Sequence, residues 1–128
     1  MPPGQVPDLG TFAFASDASL RAAVVAAAAK AAPGVGVHEG RIVSGDQFIA
    51  SDEVKARLAG EFGGLCCEME GASIAQACWL NGVPFVVVRA ISDKADGSAE
   101  MAYPEFEELA AHRCAAIVEL MLADWSQR

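Results

Sequence analysis

Several features that mark large classes of proteins are missing from this 128-residue chain. Its four cysteines include no C-x-x-C pair, so the sequence predicts no zinc site, whose thiolates need a short spacer to reach one metal ion. No apolar run approaches the ~18 residues that cross a bilayer. The nine basic residues are scattered and the net charge is −8, so nucleic acid is a poor electrostatic partner. The expected partner is a small neutral or cationic molecule.

The start of the chain also lacks the charged stretch and apolar core of a secretory signal peptide. Cys66 and Cys67 are adjacent within an apolar run, and successive strand residues point to opposite faces. We therefore expect these thiols to be reduced, small and buried. Together these two observations predict a cytoplasmic protein.

Apolar residues, by contrast, are abundant. They make up 53% of the sequence, and the mean hydropathy is +0.30. Such a value is unusual for a soluble domain standing alone, and it fits a piece whose apolar faces are covered by something else. Residues 1–128 are therefore expected to form one domain or part of one.

The residue pattern predicts alternating helices and strands. Alanine-rich residues from Ser16 or Asp17 to Ala32 favour a helix, and PFVVVRAI favours a strand buried on both faces. The full order is helix 16–32, strand 35–43, helix 51–60, strand 65–67, helix 71–80, strand 84–91 and helix 103–125. This alternation predicts an α/β fold with a largely parallel sheet.

Polar residues lie at or just after the carboxyl end of each of the three predicted strands. They are Ser44-Gly45-Asp46, Glu68-Met69-Glu70, and Arg89 with Ser92-Asp93. Ligands of such sheets bind at the carboxyl ends of the strands, so these groups are expected to converge. Asp93 suits a proton donor, because burial at a strand exit favours the protonated carboxyl. Glu70 suits a carboxylate that accepts hydrogen bonds from two neighbouring hydroxyl groups.

Each of these assignments has a structural alternative. Ser92-Asp93 is also a common turn or helix cap, and Glu68 with Glu70 is also typical of a solvated strand end. Phe48 alone would suit a core or a loop anchor. A buried Arg89 requires a carboxylate or a ligand, which leaves pairing and function equally open. The sequence also contains His38 and His112, and both isolated histidines are interpreted as ordinary surface or strand-edge residues.

Four motifs in order carry a specific resemblance. They are VSGDQFI, CEMEGASIAQAC, VPFVVVRAISDKADGSA and PEFEELAA, and the opening GQVPDLGTFAFASDASLRAAV adds to them. Together these stretches resemble the bacterial 5′-methylthioadenosine/S-adenosylhomocysteine nucleosidases of the nucleoside phosphorylase superfamily. The resemblance implies the C-terminal part of a three-layer α/β/α fold with a central mixed sheet. It also implies an N-ribosyl hydrolase of methionine salvage that releases adenine and uses no cofactor or metal.

The resemblance assigns four residues to the purine. Asp93 matches the proton donor to purine N7, and Ser92 matches a neighbour of that donor that also faces the purine. Phe48 matches the aromatic ring that stacks on adenine. Ile49 matches the residue whose backbone holds the adenine edge.

Three further residues are assigned to the ribose. Met69 and Glu70 match the family's ribose-binding Met-Glu pair. Arg89 matches an arginine that orients the sugar-binding glutamate. The nucleoside is thus the partner that the resemblance implies, with a second copy of the chain in the family's homodimer.

The chain also departs from the family pattern. Family members are nearly twice as long, and their N-terminal half carries the glutamate that activates water and a Gly-Ser/Thr-Ala-Gly-Gly segment near the ribose. Neither has a match here, so we expect weak or no turnover from this polypeptide alone. A non-catalytic fragment that binds a nucleoside or pairs with the missing half is one alternative. A purine nucleoside phosphorylase relative is the other.

Overall fold

The computed structural model describes residues 3–91 and 103–126. Within these residues the elements are α1 (Ala18–Ala31), β1 (Arg41–Ser44), α2 (Asp52–Phe62), β2 (Gly64–Glu68), α3 (Gly71–Leu80) and α4 (Tyr103–Trp125). The chain divides into two compact units. We call Met1–Asp17 with Gly40–Val87 the strand unit, and Ala18–Glu39 with Val88–Arg128 the helix-pair unit.

The strand unit is built around two parallel strands. β1 pairs with β2 so that Ser44 lies opposite Glu68, and the Gly45 N–H continues the ladder by donating to the Glu68 carbonyl oxygen at 3.1 Å. The register shifts next to Arg41, where β2 contains one extra residue. Parallel pairing places the carboxyl ends of both strands at one edge of the sheet.

Local capping explains where α2 begins and ends. The Ser51 hydroxyl oxygen accepts a hydrogen bond from the Val54 N–H at 3.4 Å, as expected of an N-cap serine. Gly63 ends the helix with a φ of 68°, a left-handed conformation that glycine adopts without steric cost. Both the predicted start at Ser51 and the predicted helix are confirmed, and the helix extends two residues past Gly60.

The proline-rich first residues form no helix or strand among those described, as predicted, but aromatic contacts attach them to α2. The Phe12 ring stacks on Phe62 with ring centroids 6.1 Å apart. The Arg41 guanidinium lies 5.1 Å from the centre of the Phe12 ring and donates to the Phe62 carbonyl oxygen at 2.7 Å. This arrangement links the start of the chain, β1 and the end of α2.

The helix-pair unit is held together by small side chains. Ala23 and Ala27 of α1 are buried together with Met121 of α4. Half-buried Val24, Ile117, Leu120 and Trp125 pack around them. Because alanine projects only a methyl group, the two helix backbones approach closely along this face.

The predicted helical spacing of α4 is confirmed position by position. The seven residues expected on its inner face are all buried or half-buried: Phe106, Leu109, Ala110, Cys114, Ile117, Leu120 and Met121. The intervening glutamates Glu107, Glu108 and Glu119 are exposed. The predicted bounds of α3 and α4 also agree with the structure, and the Asn81 side chain donates to the Ala77 carbonyl oxygen at the end of α3.

Two strand predictions were wrong. The first predicted strand begins at Arg41 instead of Val35. Residues 84–91 form no strand, although their sequence has the strongest strand pattern. A strand requires a neighbouring ladder, and the Phe85 carbonyl oxygen instead accepts from the Asp17 N–H at 2.8 Å. Arg89 is exposed, whereas the pattern predicted a buried arginine.

Large apolar side chains remain at the surface, in line with the high hydropathy. Phe48, Leu65, Ile74, Leu80 and Leu122 are each more than half exposed. None of the four cysteines forms a disulfide, and all four are half-buried, so the prediction that Cys66 and Cys67 are buried was wrong in degree. No helix in the described part of the chain is long and apolar enough to cross a membrane.

Candidate functional site

The turn between β2 and α3 is fixed by the side chain of Glu68. Its Oε1 accepts from the Gly71 N–H at 2.7 Å, and its Oε2 accepts from the same N–H at 2.8 Å. Oε2 also accepts from the Glu70 N–H at 3.2 Å. Glu68 therefore accepts hydrogen bonds from N–H groups at the start of α3 that have no partner within the helix. The helix dipole also favours a negative charge at this position.

Ser44 connects the end of β1 to this turn. Its hydroxyl donates to Oε1 of Glu68, and its oxygen accepts from the Ala72 N–H at 2.9 Å. One serine thus joins a neighbouring strand, the Glu68 carboxylate and the first turn of α3. We call Ser44, Glu68 and the N–H groups of residues 70–72 the Glu68 junction.

Gly71 makes the junction sterically feasible. A Cβ atom at this position would lie 2.8 Å from Oε1 and 3.1 Å from the carboxyl carbon of Glu68. A separation of 2.8 Å is shorter than real Cβ contacts, so any larger residue would displace the carboxylate. The glycine in the CEMEG motif is therefore explained by a close approach of the glutamate, since its φ is not positive.

The junction presents Met69 and Glu70 outward. Met69 is 46% exposed and Glu70 is exposed, although Glu68 two residues earlier is half-buried. The Glu70 carbonyl oxygen accepts from the Ser73 hydroxyl at 2.8 Å, which ties the backbone of this residue to α3. The two carboxylates, for which a solvated strand end was the alternative interpretation, are thus distinct: Glu68 accepts from backbone N–H groups, and Glu70 is exposed.

Phe48 and Ile49 lie in the loop that follows β1, and this loop begins at the same sheet edge as the β2–α3 turn. Phe48 is 80% exposed, so it is neither a core residue nor a buried loop anchor. Ile49 is half-buried. An exposed aromatic ring here is compatible with stacking on a planar ligand, and that role remains a prediction.

The other candidate residues lie in the helix-pair unit or outside the described residues. Ser92 and Asp93 lie outside the described residues, and Arg89 belongs to the helix-pair unit. His38 and His112 are exposed, and His112 Nε2 lies 3.9 Å from Glu108 Oε1 one helical turn away. Both histidines are therefore surface residues, as expected.

The structure shows a hydrogen bond between Ser44 and Glu68 that the sequence did not predict. Both were noted only as polar residues after a strand. The available signal was the spacing in Glu68-Met69-Glu70-Gly71, because a carboxylate just ahead of a helix start commonly caps its free N–H groups. Ser44 has no comparable local signal, because its partners are 24 and 28 residues away.

With this geometry established, residues 2–123 match the family described as the Phosphorylase superfamily. The chain belongs to this superfamily. Because the match covers nearly all 128 residues, both units of the chain are part of the family fold.

Curated relatives narrow the similarity to nucleosidases. The chain is 44% identical over 116 residues to a 5′-methylthioadenosine/S-adenosylhomocysteine nucleosidase of an Exiguobacterium species, which covers 90% of the chain and 49% of the relative. It is 47% identical over 88 residues to an aminodeoxyfutalosine nucleosidase of Helicobacter pylori, which covers 69% of the chain and 38% of that relative. The chain thus spans about half the length of the first of these relatives.

A solved structure agrees with this assignment. The 5′-methylthioadenosine/S-adenosylhomocysteine nucleosidase of Neisseria meningitidis, in complex with methylthio-immucillin-A, matches with a TM-score of 0.81 and 41% identity. The match covers 95% of this chain and 52% of the Neisseria chain. The predicted nucleoside phosphorylase-like α/β fold is therefore confirmed.

Proposed function

We propose that this chain supplies the purine- and ribose-binding half of a nucleosidase. The enzyme would hydrolyse the N-glycosidic bond of 5′-methylthioadenosine and S-adenosylhomocysteine, releasing adenine and the 5-thioribose product. The observation that carries the proposal is the Met69–Glu70 turn, which the Glu68 junction holds with both side chains exposed. Similarity to nucleosidases over 90% of the chain supports the same reaction.

The chemistry divides between the two ends of the bond that breaks. As the C1′–N9 bond lengthens, positive charge develops on the ribose and negative charge on the purine. Asp93 would donate a proton to N7, which lets the purine leave as a neutral base. Glu70 would accept hydrogen bonds from the ribose hydroxyls and place negative charge near the cationic sugar. Water then adds to C1′ and loses a proton to the glutamate expected in the N-terminal half.

The other site residues serve the same ligand. Phe48 would stack on adenine, while Ile49 would bind its edge through backbone groups. Ser92 would face the purine beside Asp93, and Arg89 would orient Glu70. The proposed assembly is a cytoplasmic homodimer in which the family's N-terminal half completes the site.

A second substrate has a specific observation in its favour. The 47% identical relative from Helicobacter pylori is named an aminodeoxyfutalosine nucleosidase, so the same residues would serve a nucleoside with a different 5′ group. The assay therefore includes aminodeoxyfutalosine beside methylthioadenosine. Inorganic phosphate distinguishes hydrolysis from the phosphorylase reaction.

The test measures release of the purine base by chromatography. The purified chain is incubated with each nucleoside, with and without phosphate, alone and after coexpression with the N-terminal half of the Exiguobacterium relative. We expect phosphate-independent adenine release by the coexpressed pair and little by the chain alone. No release by either preparation would reject the nucleosidase, and release that requires phosphate would make the protein a phosphorylase.

Asp93→Asn in the coexpressed pair tests the donor. Loss of a general acid lowers kcat by about 100- to 10,000-fold, because the N–H groups of the asparagine amide are far too weakly acidic to transfer a proton to the purine. Asp96→Asn, three residues along, is the matched control and should retain full activity. Full activity of Asp93→Asn would remove this residue as the donor.

A further inference from the structure

We propose that Glu68 is a positioning residue that sets Glu70 for the ribose, and that Ser44 holds Glu68 in place. This inference rests on the proposed function, because it assigns the ribose contact to Glu70. It adds two residues to the site that do not themselves touch the nucleoside.

The hydrogen bonds show why Glu68 is not itself a ribose ligand. Both of its oxygens already accept from protein donors: Gly71 N–H reaches Oε1 and Oε2, Glu70 N–H reaches Oε2, and the Ser44 hydroxyl reaches Oε1. A carboxylate has about four acceptor positions, and these three donors use positions on both oxygens. Glu68 therefore binds the backbone N–H groups of Glu70 and Gly71 instead of the ribose.

The same bonds fix the backbone of Glu70. Its N–H is bound to Glu68 Oε2 at 3.2 Å, and its carbonyl oxygen is bound to the Ser73 hydroxyl at 2.8 Å. With both peptide groups of Glu70 tied down, its Cα–Cβ direction is set before a ligand arrives. Positioning in advance strengthens binding because less conformational freedom is lost when the ligand binds.

Ser44 couples this turn to the neighbouring strand. Its hydroxyl donates to Glu68 Oε1 and accepts from the Ala72 N–H, so the β2–α3 turn is hydrogen-bonded to the end of β1. The loop carrying Phe48 begins at that strand end. Ser44 therefore anchors the turn proposed to hold the sugar to the end of β1.

The test compares two probes that differ in the ribose. Dissociation constants for 5′-methylthioadenosine and for adenine are measured by calorimetry on the full chain and its variants. Glu68→Gln keeps one acceptor oxygen but turns an NH₂ group toward N–H donors. We expect its affinity for methylthioadenosine to fall about tenfold or more, as for loss of a charged hydrogen bond, while its affinity for adenine is unchanged. Equal weakening of both probes, or of neither, would overturn the proposal.

Matched variants separate positioning from folding. Ser44→Ala should reproduce the selective loss, and Ser44→Thr should restore affinity because it keeps the hydroxyl. Glu61→Gln, an exposed glutamate of α2, is the neutral control. Gly71→Ala should also lower the affinity for methylthioadenosine selectively, because its added methyl group displaces the Glu68 carboxylate. Selective loss in Glu68→Gln without any effect in Ser44→Ala or Gly71→Ala would reject the junction as described.

A double-mutant cycle gives the decisive comparison. If Glu68 acts through Glu70, Glu68→Gln has no further effect on methylthioadenosine affinity once Glu70 is replaced by alanine. Additive losses would mean that Glu68 acts independently and would overturn the proposal.

If the chain binds neither probe, the proposed nucleoside-binding role of this polypeptide is refuted. The positioning role of Glu68 is then tested separately by amide hydrogen exchange. Slow exchange of the Glu70 and Gly71 amides that becomes fast in Glu68→Ala, with α4 amides unchanged, supports the junction. Equal exchange in both proteins overturns it.

Discussion

The Glu68 junction and the helix-pair unit are ordered by different forces. In the junction a single half-buried carboxylate receives bonds from a serine and from backbone N–H groups. In the helix-pair unit, Ala23, Ala27 and Met121 are buried without a hydrogen bond between their side chains. The junction is therefore ordered by directional hydrogen bonds, and the helix-pair unit is ordered by apolar contact.

The difference explains which region is suited to recognise a ligand. Hydrogen bonds add little net stability, because water satisfies the same groups in the unfolded chain, but they fix specific atoms in place. Apolar packing is non-directional and stabilises in proportion to the buried area. Substitutions in the helix-pair unit should therefore lower the free energy of unfolding, whereas substitutions in the junction should mainly change nucleoside affinity.

Met121→Ala should have the largest effect on stability. Met121 is the buried side chain that α4 contributes to the apolar cluster, so truncation leaves a cavity against Ala23 and Ala27. We expect the free energy of unfolding in urea to fall by about 2 to 3 kcal/mol. Leu122→Ala, at a neighbouring position that is 57% exposed, should cost far less. Equal losses for the two variants would show that this face of α4 is not a core.

Ala27→Leu tests the same contact from the opposite side. Ala27 is 0% exposed, so three additional carbon atoms have no space between α1 and α4. Overpacking of this kind lowers the unfolding free energy by about 1 to 3 kcal/mol. The control is Ala26→Leu on the exposed face of the same helix. If Ala27→Leu melts at the wild-type temperature, the close approach of the helices is wrong.

The helices were predictable because their signals are local. The bounds of α3 follow from Gly71 and from the Asn81-Gly82 stop, and α4 shows its inner face through apolar residues at helical spacing. A helix satisfies its backbone within its own segment. Its sequence therefore contains most of the information that its formation needs.

The strands and the junction depended on distant residues. Residues 84–91 have strand composition, but a strand also needs a partner, which composition does not specify. The pairing of Ser44 with Glu68 is equally non-local, since 24 residues separate them. Glu70 was predicted from its place at a strand end, and the resemblance added Met69 and gave Phe48 and Ile49 their roles. The structure adds how the turn that carries Met69 and Glu70 is held.

Ser51→Ala examines a part of the strand unit outside the Glu68 junction. It removes the oxygen that accepts from the Val54 N–H at the start of α2. The expected loss is about 1 kcal/mol in the free energy of unfolding, with methylthioadenosine affinity unchanged. Ser51→Asn retains an acceptor and should lose less. A selective fall in nucleoside affinity would mean that hydrogen bonds outside the Glu68 junction also position the ligand.

Lys30→Gln should have the smallest effect, and it tests whether charge contributes to the helix-pair unit. Lys30 Nζ lies 3.7 Å from Asp124 Oδ2, but the side chains are 67% and 45% exposed. Exposed pairs of this kind contribute about 0.2 to 1 kcal/mol, because water screens the attraction and both side chains lose freedom. We expect a change below about 0.5 kcal/mol in urea unfolding. Adding salt should abolish the difference from wild type, with Asp124→Asn behaving alike. A loss as large as that of Met121→Ala would contradict the view that apolar contact holds this unit, since a directed interaction would then stabilise both regions.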